Sequence, residues 1–164
     1  MVIAVVSDTH LPRGARRLPE ACVARLRAAD LIVHAGDLTA VAFLDELRAF
    51  GPPVVAVAGN VDEPALQAVL PARTEVDAGG LRIGVVHDAG RRAGREARLV
   101  AAFPGCAAVV YGHSHVPQVE LHDGVWILNP GSPTERRRAP TRSMIELEVA
   151  GGELRPTLVD VGAG

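Results

Sequence analysis

The segment Val2-Ile3-Ala4-Val5-Val6-Ser7-Asp8-Thr9-His10 joins five apolar residues to an aspartate and a histidine. Its apolar part is short and continuous, as expected for a strand of a parallel sheet that is covered on both faces. Four more apolar stretches run into polar residues of the same kind, and they lie at 31–33, 54–58, 83–86 and 107–111. Because the carboxyl ends of parallel strands share one edge of the sheet, we expect polar side chains from five strands to gather there.

These polar side chains are all nitrogen or oxygen donors. They are Asp8, His10, Asp37, Asn60, His87, His113 and His115. Such a mixture without a thiolate suits divalent ions such as Mn, Fe, Zn or Ni. Two pairs of donors are separated by a single residue, which places both members of a pair on the same side of an extended segment.

Gly36, Gly59 and Gly112 each directly precede one of the donors. A residue without a side chain lets the backbone turn tightly or approach an ion. Any single aspartate after a strand is more simply explained as a helix cap, and any single histidine as a structural residue. The threefold repetition of a glycine before a donor favours one shared metal site instead.

Composition narrows the class of protein. A chain of 164 residues fits one domain, here expected to span 1–164, and its 48% hydrophobic residues suffice for a core. The net charge is −2, so no basic surplus indicates nucleic-acid binding. Cys22 and Cys106 form no Cys-x-x-Cys pair and are expected to be small buried residues. Without a signal-peptide pattern or an apolar run of about 18 residues, we expect a cytoplasmic protein without membrane contact.

Strand and helix patterns alternate in the first half of the chain, which predicts βαβ units and a mainly parallel sheet. Helices are predicted at 19–29, 41–50, 63–70 and 92–103. After Pro71 the pattern favours antiparallel hairpins, one of them around the turn at His122-Asp123-Gly124. The paired strands are predicted at 74–77 with 81–86, 116–121 with 125–128, and 143–149 with 153–159. The expected fold is α/β, with two packed sheets and flanking helices.

The order of these motifs resembles the calcineurin-like metallophosphoesterase superfamily. The shared motifs are Asp-x-His at 8–10, Gly-Asp at 36–37, Gly-Asn at 59–60, His87, and Gly-His-x-His at 112–115. His-Ala-Gly-Asp at 34–37, Gly-Asn-x-Asp at 59–62 and Asn-Pro-Gly-Ser at 129–132 resemble its small single-domain prokaryotic phosphodiesterases. These enzymes are related to a retromer subunit that serves as a protein-binding scaffold. The resemblance runs from Val2 to about Ser132 and implies the family's βαβαβ sandwich.

The resemblance also implies a role for each donor. A first metal ion would be held by Asp8, His10, Asp37 and His115. A second would be held by Asp37, Asn60, His87 and His113, with the Asp37 carboxylate as the bridge. Asp37, Asn60 and His87 would be catalytic, and Asn60 and His87 would also bind substrate. Manganese is favoured for both ions, with Ni, Fe, Zn or Mg as alternatives.

The implied reaction is hydrolysis of a small phosphoester by a hydroxide shared between two cations about 3.5–4 Å apart. A phosphodiesterase is favoured, and a phosphomonoesterase is the nearest alternative. A non-catalytic scaffold on the same fold is the alternative from another class, but the chain retains all seven donors. A small phosphoester is the expected partner, a stable nucleic-acid complex is not expected, and a homo-oligomer stays open.

Val61 marks one departure from the family pattern. Many larger members carry a histidine there, thought to stabilise the transition state or protonate the leaving group. Its loss is expected to weaken hydrolysis of esters with poor leaving groups. Asp88 is interpreted as a turn residue rather than as an acceptor for a ligand imidazole.

The remaining candidates receive structural interpretations. His34 is expected to enter packing or to bond the backbone, and His122 to lie solvated in its turn. Asn129–Ser132 is first of all a turn, placed by the resemblance near the metals, where it would shape the pocket. Two arginine groups are interpreted as an exposed helix face and a solvated loop, although guanidinium groups also suit anionic substrates. These groups are Arg91, Arg92, Arg95 and Arg98, and Arg136, Arg137 and Arg138.

Overall fold

The computed structural model describes residues 1–162, which contain ten strands and four helices. The strands are β1 (Val2–Val6), β2 (Leu31–His34), β3 (Val54–Ala56), β4 (Arg73–Ala78), β5 (Leu81–Val86), β6 (Ala108–Val110), β7 (Gln118–His122), β8 (Val125–Asn129), β9 (Ser143–Ala150) and β10 (Glu153–Asp160). The helices are α1 (Glu20–Ala28), α2 (Val41–Arg48), α3 (Pro64–Val69) and α4 (Arg95–Ala102). In this part of the chain no helix has the length and apolar character to cross a membrane.

The first sheet has the strand order β10-β9-β1-β2-β3. Strands β1, β2 and β3 are parallel, and their last residues are level, since Val6 pairs with His34 and His34 with Ala56. The β9–β10 hairpin joins the other side of β1 in antiparallel orientation. The predicted βαβ units are therefore confirmed, although β3 ends two residues earlier than expected.

The second sheet has the order β4-β5-β6-β8-β7. Strands β5, β6 and β8 are parallel, with Val85 opposite Val110 and Val110 opposite Leu128. The predicted antiparallel β7–β8 hairpin is present, and its second strand also pairs with β6 in parallel orientation, which the hairpin pattern did not predict. His122 is the last residue of β7 and pairs with Val125, so the hairpin turn begins one residue later than expected.

The two sheets pack face to face between outer layers of helices. Alternate residues of β1 point in opposite directions, so Ile3 and Val5 enter the core between the sheets while Ala4 and Val6 face α1, α2 and α3. Helix α4 covers the outer face of the second sheet through Leu99. This arrangement confirms the expected α/β two-sheet sandwich. Cys22 and Cys106 are buried free thiols, also as expected.

Helix α4 begins three residues later than predicted. Gly94, immediately before the helix, has a φ of 67°, a left-handed conformation that helices do not continue through. The Arg98 side chain instead ties down the preceding loop, since its guanidinium donates to the carbonyls of Ala93 (2.6 Å) and Ala89 (3.3 Å). The loop between β5 and α4 is thus organised by hydrogen bonds rather than by helix.

The segments that follow the parallel strands of both sheets meet at one edge of the sandwich. Within the first sheet, Asp8 N donates to the carbonyl of Gly36 at 3.0 Å. Within the second, Gly112 N donates to the carbonyl of His87, also at 3.0 Å. Across the sheets, His113 N donates to the Asp8 carboxylate at 3.0 Å. This edge carries all seven candidate donors.

Candidate metal centre

Five of the seven donor residues lie in the left-handed region of backbone conformation. The φ values are 54° for Asp8, 49° for His10, 59° for Asp37, 68° for His113 and 57° for His115. The expectation that the two closely spaced pairs lie on extended segments was therefore wrong. Left-handed aspartate and histidine residues are uncommon, and such conformations persist where the surroundings hold them in place.

The three glycines let neighbouring segments come close to the donors. A Cβ atom at Gly36 would lie 2.6 Å from Nδ1 of His87. One at Gly59 would overlap the backbone and carboxylate of Asp37, and one at Gly112 would overlap the Ser7 hydroxyl. The glycines let the backbone come close to side chains of the centre and its supports. Close approach of the backbone to an ion stays a prediction.

Asp8, His10 and His115 form the buried half of the centre, each 2% exposed or less. The two imidazole rings are stacked with their centroids 5.1 Å apart, and their Nε2 atoms lie 3.2 Å from each other. Nε2 of His115 is also 3.3 Å from Oδ1 of Asp8. One donor atom from each of the three residues therefore faces a common point, all within 4.8 Å of one another.

Asp37 connects this half to His87. Its Oδ2 lies 3.9 Å from Nε2 of His10 and 3.3 Å from Nε2 of His87. Asp8, Asp37 and His87 form a second group whose donor atoms also lie within 4.8 Å of one another. One carboxylate oxygen of Asp37 thus faces both His10 and His87, and Asp8 belongs to both groups of donors.

Asn60 and His113 form the open half and are exposed to solvent. Oδ1 of Asn60 lies 3.0 Å from Nε2 of His87 and 2.9 Å from Nδ1 of His113. The structure therefore brings all seven candidate donors together in one elongated cluster. The cluster is buried at one end and accessible at the other.

The donor atoms suit divalent cations. Bonds of about 2.0–2.2 Å to one ion place neighbouring ligand atoms roughly 3–3.5 Å apart, and the separations in the cluster are 2.9–3.9 Å. Nδ1 of His87 lies 2.8 Å from the Ala35 carbonyl, which directs Nε2 into the cluster. Within residues 1–162, Nδ1 of His10 and Nδ1 of His115 have no hydrogen-bond partner, so only their Nε2 atoms are engaged.

The electrostatics of the buried half favour neutral imidazoles. Burial lowers the pKa of His10, and it lowers the pKa of His115 to about 4. Both rings can therefore offer Nε2 lone pairs at neutral pH. Burial also raises the pKa of Asp8 to about 7, even though His87 and the Ser7 hydroxyl oppose the shift. A cation placed there would favour the ionised carboxylate.

Asp37 and His87, 3.3 Å apart, each favour the charged form of the other. Burial opposes ionisation of Asp37, but hydrogen bonds from His87 and the Val61 amide outweigh it and bring the pKa of Asp37 to about 2. Burial likewise opposes charge on His87, while the bond to Asp37 raises the pKa of that imidazole. An ion between the two residues would take the place of the imidazole proton.

Several residues that hold the donors in place were not identified from the sequence. The Asp62 carboxylate accepts from the amides of Thr39 and Gly59, both at 2.7 Å, and thereby fixes the Asn60 loop. The hydroxyls of Ser132 and Thr134 donate to the carbonyls of Asp8 and Thr9, also at 2.7 Å. Asp62 and Ser132 do fall within the motifs at 59–62 and 129–132, which is the signal that could have singled them out.

Three further residues, His34, Asp88 and Asn129, were interpreted from the sequence as structural. His34 packs edge-on against Phe43 as expected, and its Nε2 lies 3.0 Å from the Thr9 hydroxyl. Asp88 is a turn residue as expected, accepting from Gly90 N at 2.7 Å. Asn129 does more than turn the chain, because its amide donates to the Gly112 carbonyl at 3.0 Å and so braces the His113 loop.

The arginine groups also differ from a simple exposed face. Arg91 and Arg92 lie in the loop before α4. Arg95 is half-buried, and its guanidinium donates to the Tyr111 hydroxyl at 3.0 Å while lying over that ring. The solvated-loop interpretation is confirmed for 136–138, where all three arginines are exposed.

Comparisons with known proteins identify relatives of similar sequence and similar fold. A curated relative from Methanothermobacter thermautotrophicus, a probable metallophosphoesterase, is 33% identical over 166 residues, covering 99% of this chain and 94% of its own. Zinc-bound wild-type Vps29 from Entamoeba histolytica superposes with a TM-score of 0.76 at 23% identity, covering 99% of this chain and 100% of the other. An archaeal phosphodiesterase superposes with a TM-score of 0.73 at 19% identity, covering 97% and 100%.

The two structural likenesses establish the fold, and the sequence likeness goes further. Residues 1–152 match the family model described as the calcineurin-like phosphoesterase superfamily domain. That range includes all seven donors. The chain therefore belongs to the calcineurin-like phosphoesterase superfamily.

Proposed function

We propose that this protein is a metal-dependent phosphodiesterase that hydrolyses a small phosphoester at the seven-residue centre. The observation that carries the proposal is the position of Asp37. Its Oδ2 atom faces His10 of the buried half and His87, which lies beside the open half, at 3.9 and 3.3 Å. A carboxylate in that position suits a bridge between two cations.

In this proposal each ion has its own set of donors. Asp8, His10, Asp37 and His115 hold one divalent ion, and Asp37, Asn60, His87 and His113 hold the other. Manganese is the proposed ion. When bound, such a pair supplies a hydroxide nucleophile near neutral pH and neutralises charge that develops on the phosphoryl oxygens.

The residues of the chain define how substrate reaches the centre. The phosphoester approaches from the solvent-exposed side, where Asn60 and His113 lie, because the other half is closed by protein. Asn60 and His87 contact the substrate. A neutral amide at position 60 repels an anionic ester less than a third carboxylate would.

Position 61 bears on which esters are hydrolysed well. Val61 is 44% exposed beside the open half and offers no proton to a departing alkoxide. We therefore propose that esters with good leaving groups are preferred. This preference concerns the leaving group alone, and the organic groups of the natural substrate are set by the surrounding loops.

The proposal is tested with purified protein loaded with Mn²⁺ and given bis(4-nitrophenyl) phosphate. We expect release of nitrophenol that a chelator stops, and slower turnover of the monoester 4-nitrophenyl phosphate. Asp37→Ala and His87→Ala should abolish turnover, while His122→Ala, a half-exposed histidine outside the centre, serves as the matched control. Absence of turnover with each of Mn, Ni, Fe and Zn would contradict the proposal. Faster hydrolysis of the monoester than of the diester would indicate a phosphomonoesterase instead.

A scaffold function is the alternative that the Vps29 likeness raises. That likeness is below 25% identity and concerns the fold alone. The convergence of all seven donors supports an enzyme, because a surface used only for protein binding needs no buried cluster of this composition.

A further inference from the structure

Glu135 lies directly behind the buried half of the centre. Its Oε1 accepts from Nη2 of Arg16 at 2.9 Å, and its Oε2 lies 3.4 Å from Nε of Arg137. Arg16 and Glu135 are 119 residues apart, so this contact ties the loop after β1 to the loop after β8. The carboxylate is therefore hydrogen-bonded by Arg16 and lies in charge contact with Arg137.

The same carboxylate faces the metal-ligand candidate His115. Oε2 of Glu135 lies 3.9 Å from Nδ1 of His115, on the opposite side of the ring from the Nε2 atom that faces Asp8. Both atoms are buried, and neither has a hydrogen-bond partner in the described part of the chain. An imidazole nitrogen and a carboxylate oxygen thus face each other about 1 Å beyond hydrogen-bond distance.

We propose that Glu135 is a positioning residue that orients His115 for metal binding, an inference that rests on the proposed metal centre. Its carboxylate accepts the Nδ1 proton of the neutral imidazole once the 3.9 Å separation of the two atoms closes to hydrogen-bond distance. With the proton on Nδ1, the Nε2 lone pair is directed at the ion. Acceptors of this kind also make the ligand nitrogen more basic.

His87 shows the same principle with a different partner, since its Nδ1 lies 2.8 Å from the Ala35 carbonyl. Nδ1 of His115 has no hydrogen-bond partner among residues 1–162, so in this proposal the carboxylate of Glu135 takes that place. The guanidinium groups of Arg16 and Arg137 lie 2.9 and 3.4 Å from the two carboxylate oxygens of Glu135 and so place positive charge beside it.

The test compares Mn²⁺ binding by wild-type protein and Glu135→Gln, measured by titration calorimetry with independent sites. We expect the ion held by Asp8, His10 and His115 to bind about ten-fold more weakly or worse in the variant. Binding at the other site should be unchanged, and Asn60→Ala identifies that site. Glu135→Asp should restore part of the lost affinity, because it keeps the charge.

Glu75→Gln is the matched control. Glu75 also pairs with an arginine, through Oε2 at 3.0 Å from Nη1 of Arg82, but it lies on β4 within a hairpin. Losing that ion pair should leave both Mn²⁺ affinities unchanged. Arg16→Gln separates the loop contact of Glu135 from its role towards His115. If Glu135 only tied the two loops together, Arg16→Gln would weaken metal binding as much as Glu135→Gln does.

A second measurement needs no variant of Glu135 to fold. Long-range ¹H–¹⁵N correlation spectra of Zn²⁺-loaded protein with labelled histidine report which ring nitrogen carries the proton, and His115→Gln assigns the signal. We expect His115 to be protonated at Nδ1. Protonation at Nε2, or equal Mn²⁺ affinities in wild type and Glu135→Gln, overturns the inference while leaving the metal centre intact. A wild-type protein that binds no ion overturns the proposed function itself.

Discussion

Replacing Asp62 by asparagine tests how the open half of the centre is held. Asp62 is 4% exposed and accepts two backbone N–H groups at 2.7 Å, those of Thr39 and Gly59. Asparagine has nearly the same shape but keeps only one acceptor oxygen. One N–H group therefore loses its hydrogen bond, and the other keeps a bond to an uncharged oxygen. Gly59 precedes Asn60, so the donor loop should loosen together with the fold.

The magnitude follows from hydrogen bonds to a charged group, each contributing about 1.5–3 kcal/mol. Losing one of the two bonds should lower the free energy of unfolding by about that amount, and Asp62→Ala by about twice as much. For a chain of this size, 1.5–3 kcal/mol corresponds to a fall in Tm of about 3–12 °C. We also expect weaker Mn²⁺ binding at the Asn60 site.

Urea unfolding followed by circular dichroism measures the change, and Asp160→Asn provides the control. Asp160 accepts a single N–H group, that of Gly162 at 2.7 Å, but it is exposed. Its replacement should change stability by no more than about 0.5 kcal/mol. If Asp62→Asn were as harmless as Asp160→Asn, the two buried bonds would not hold the loop and the reasoning would be wrong.

Three further predictions concern the same edge of the sandwich. Gly112→Ala places a Cβ 2.8 Å from the Ala35 carbonyl and 2.9 Å from the Asp8 carboxylate. Thermal melting should therefore show a free energy of unfolding lower by about 1–3 kcal/mol, and elemental analysis a reduced metal content. An unchanged Tm would contradict the close packing. Burial lowers the pKa of His34 to about 3, whereas an unfolded histidine titrates near 6.5. As the pH decreases, the unfolded chain therefore binds a proton at His34 before the folded protein does, and the folded protein loses stability. Between about pH 6 and pH 4 wild type should lose up to about 1.4 kcal/mol per pH unit more than His34→Gln. Parallel stability curves of the two proteins in urea titrations would refute this. Mn²⁺ at a hundred times its Kd should stabilise wild type by about 2.7 kcal/mol per site. Differential scanning fluorimetry should show this as a rise in Tm that a chelator removes. If Asp37 bridges the ions, the Tm of Asp37→Ala should not rise with Mn²⁺.

The positions of the donors could be predicted because each follows an apolar run. Val2–Val6 identifies β1 by composition alone, and the strand's end then places Asp8 at the edge of the sheet. The same logic holds for His87 after β5. The backbone conformation at Asp8 was not predictable in this way, since nothing in the sequence distinguishes a left-handed φ of 54° from an extended segment. The donors meet at the shared edge of the sheets as expected, although the closely spaced pairs do not lie on extended segments.

The supports of the centre could not be predicted, because sequence spacing carries no information on contacts across the sandwich. Ser132 donates to the carbonyl of Asp8 over 124 residues, and Thr134 to that of Thr9 over 125. Such partners become visible only once β1 of the first sheet and β8 of the second are seen to end at the same edge. The parallel pairing of β8 with β6, which the hairpin pattern did not reveal, creates that juxtaposition.

The left-handed donors explain why so many supports surround the centre. A strained backbone residue costs of order 1–3 kcal/mol, and five such residues together would match much of the stability of a typical domain. Aspartate and histidine tolerate the conformation better than most side chains, which reduces the cost. The rest is offset by bonds that fix the strained residues directly, as when His10 N donates to the Asp37 carbonyl at 3.0 Å and Asp8 N to that of Gly36. The donors are thereby arranged before any ion arrives, so that ion binding need not supply the energy of ordering these loops.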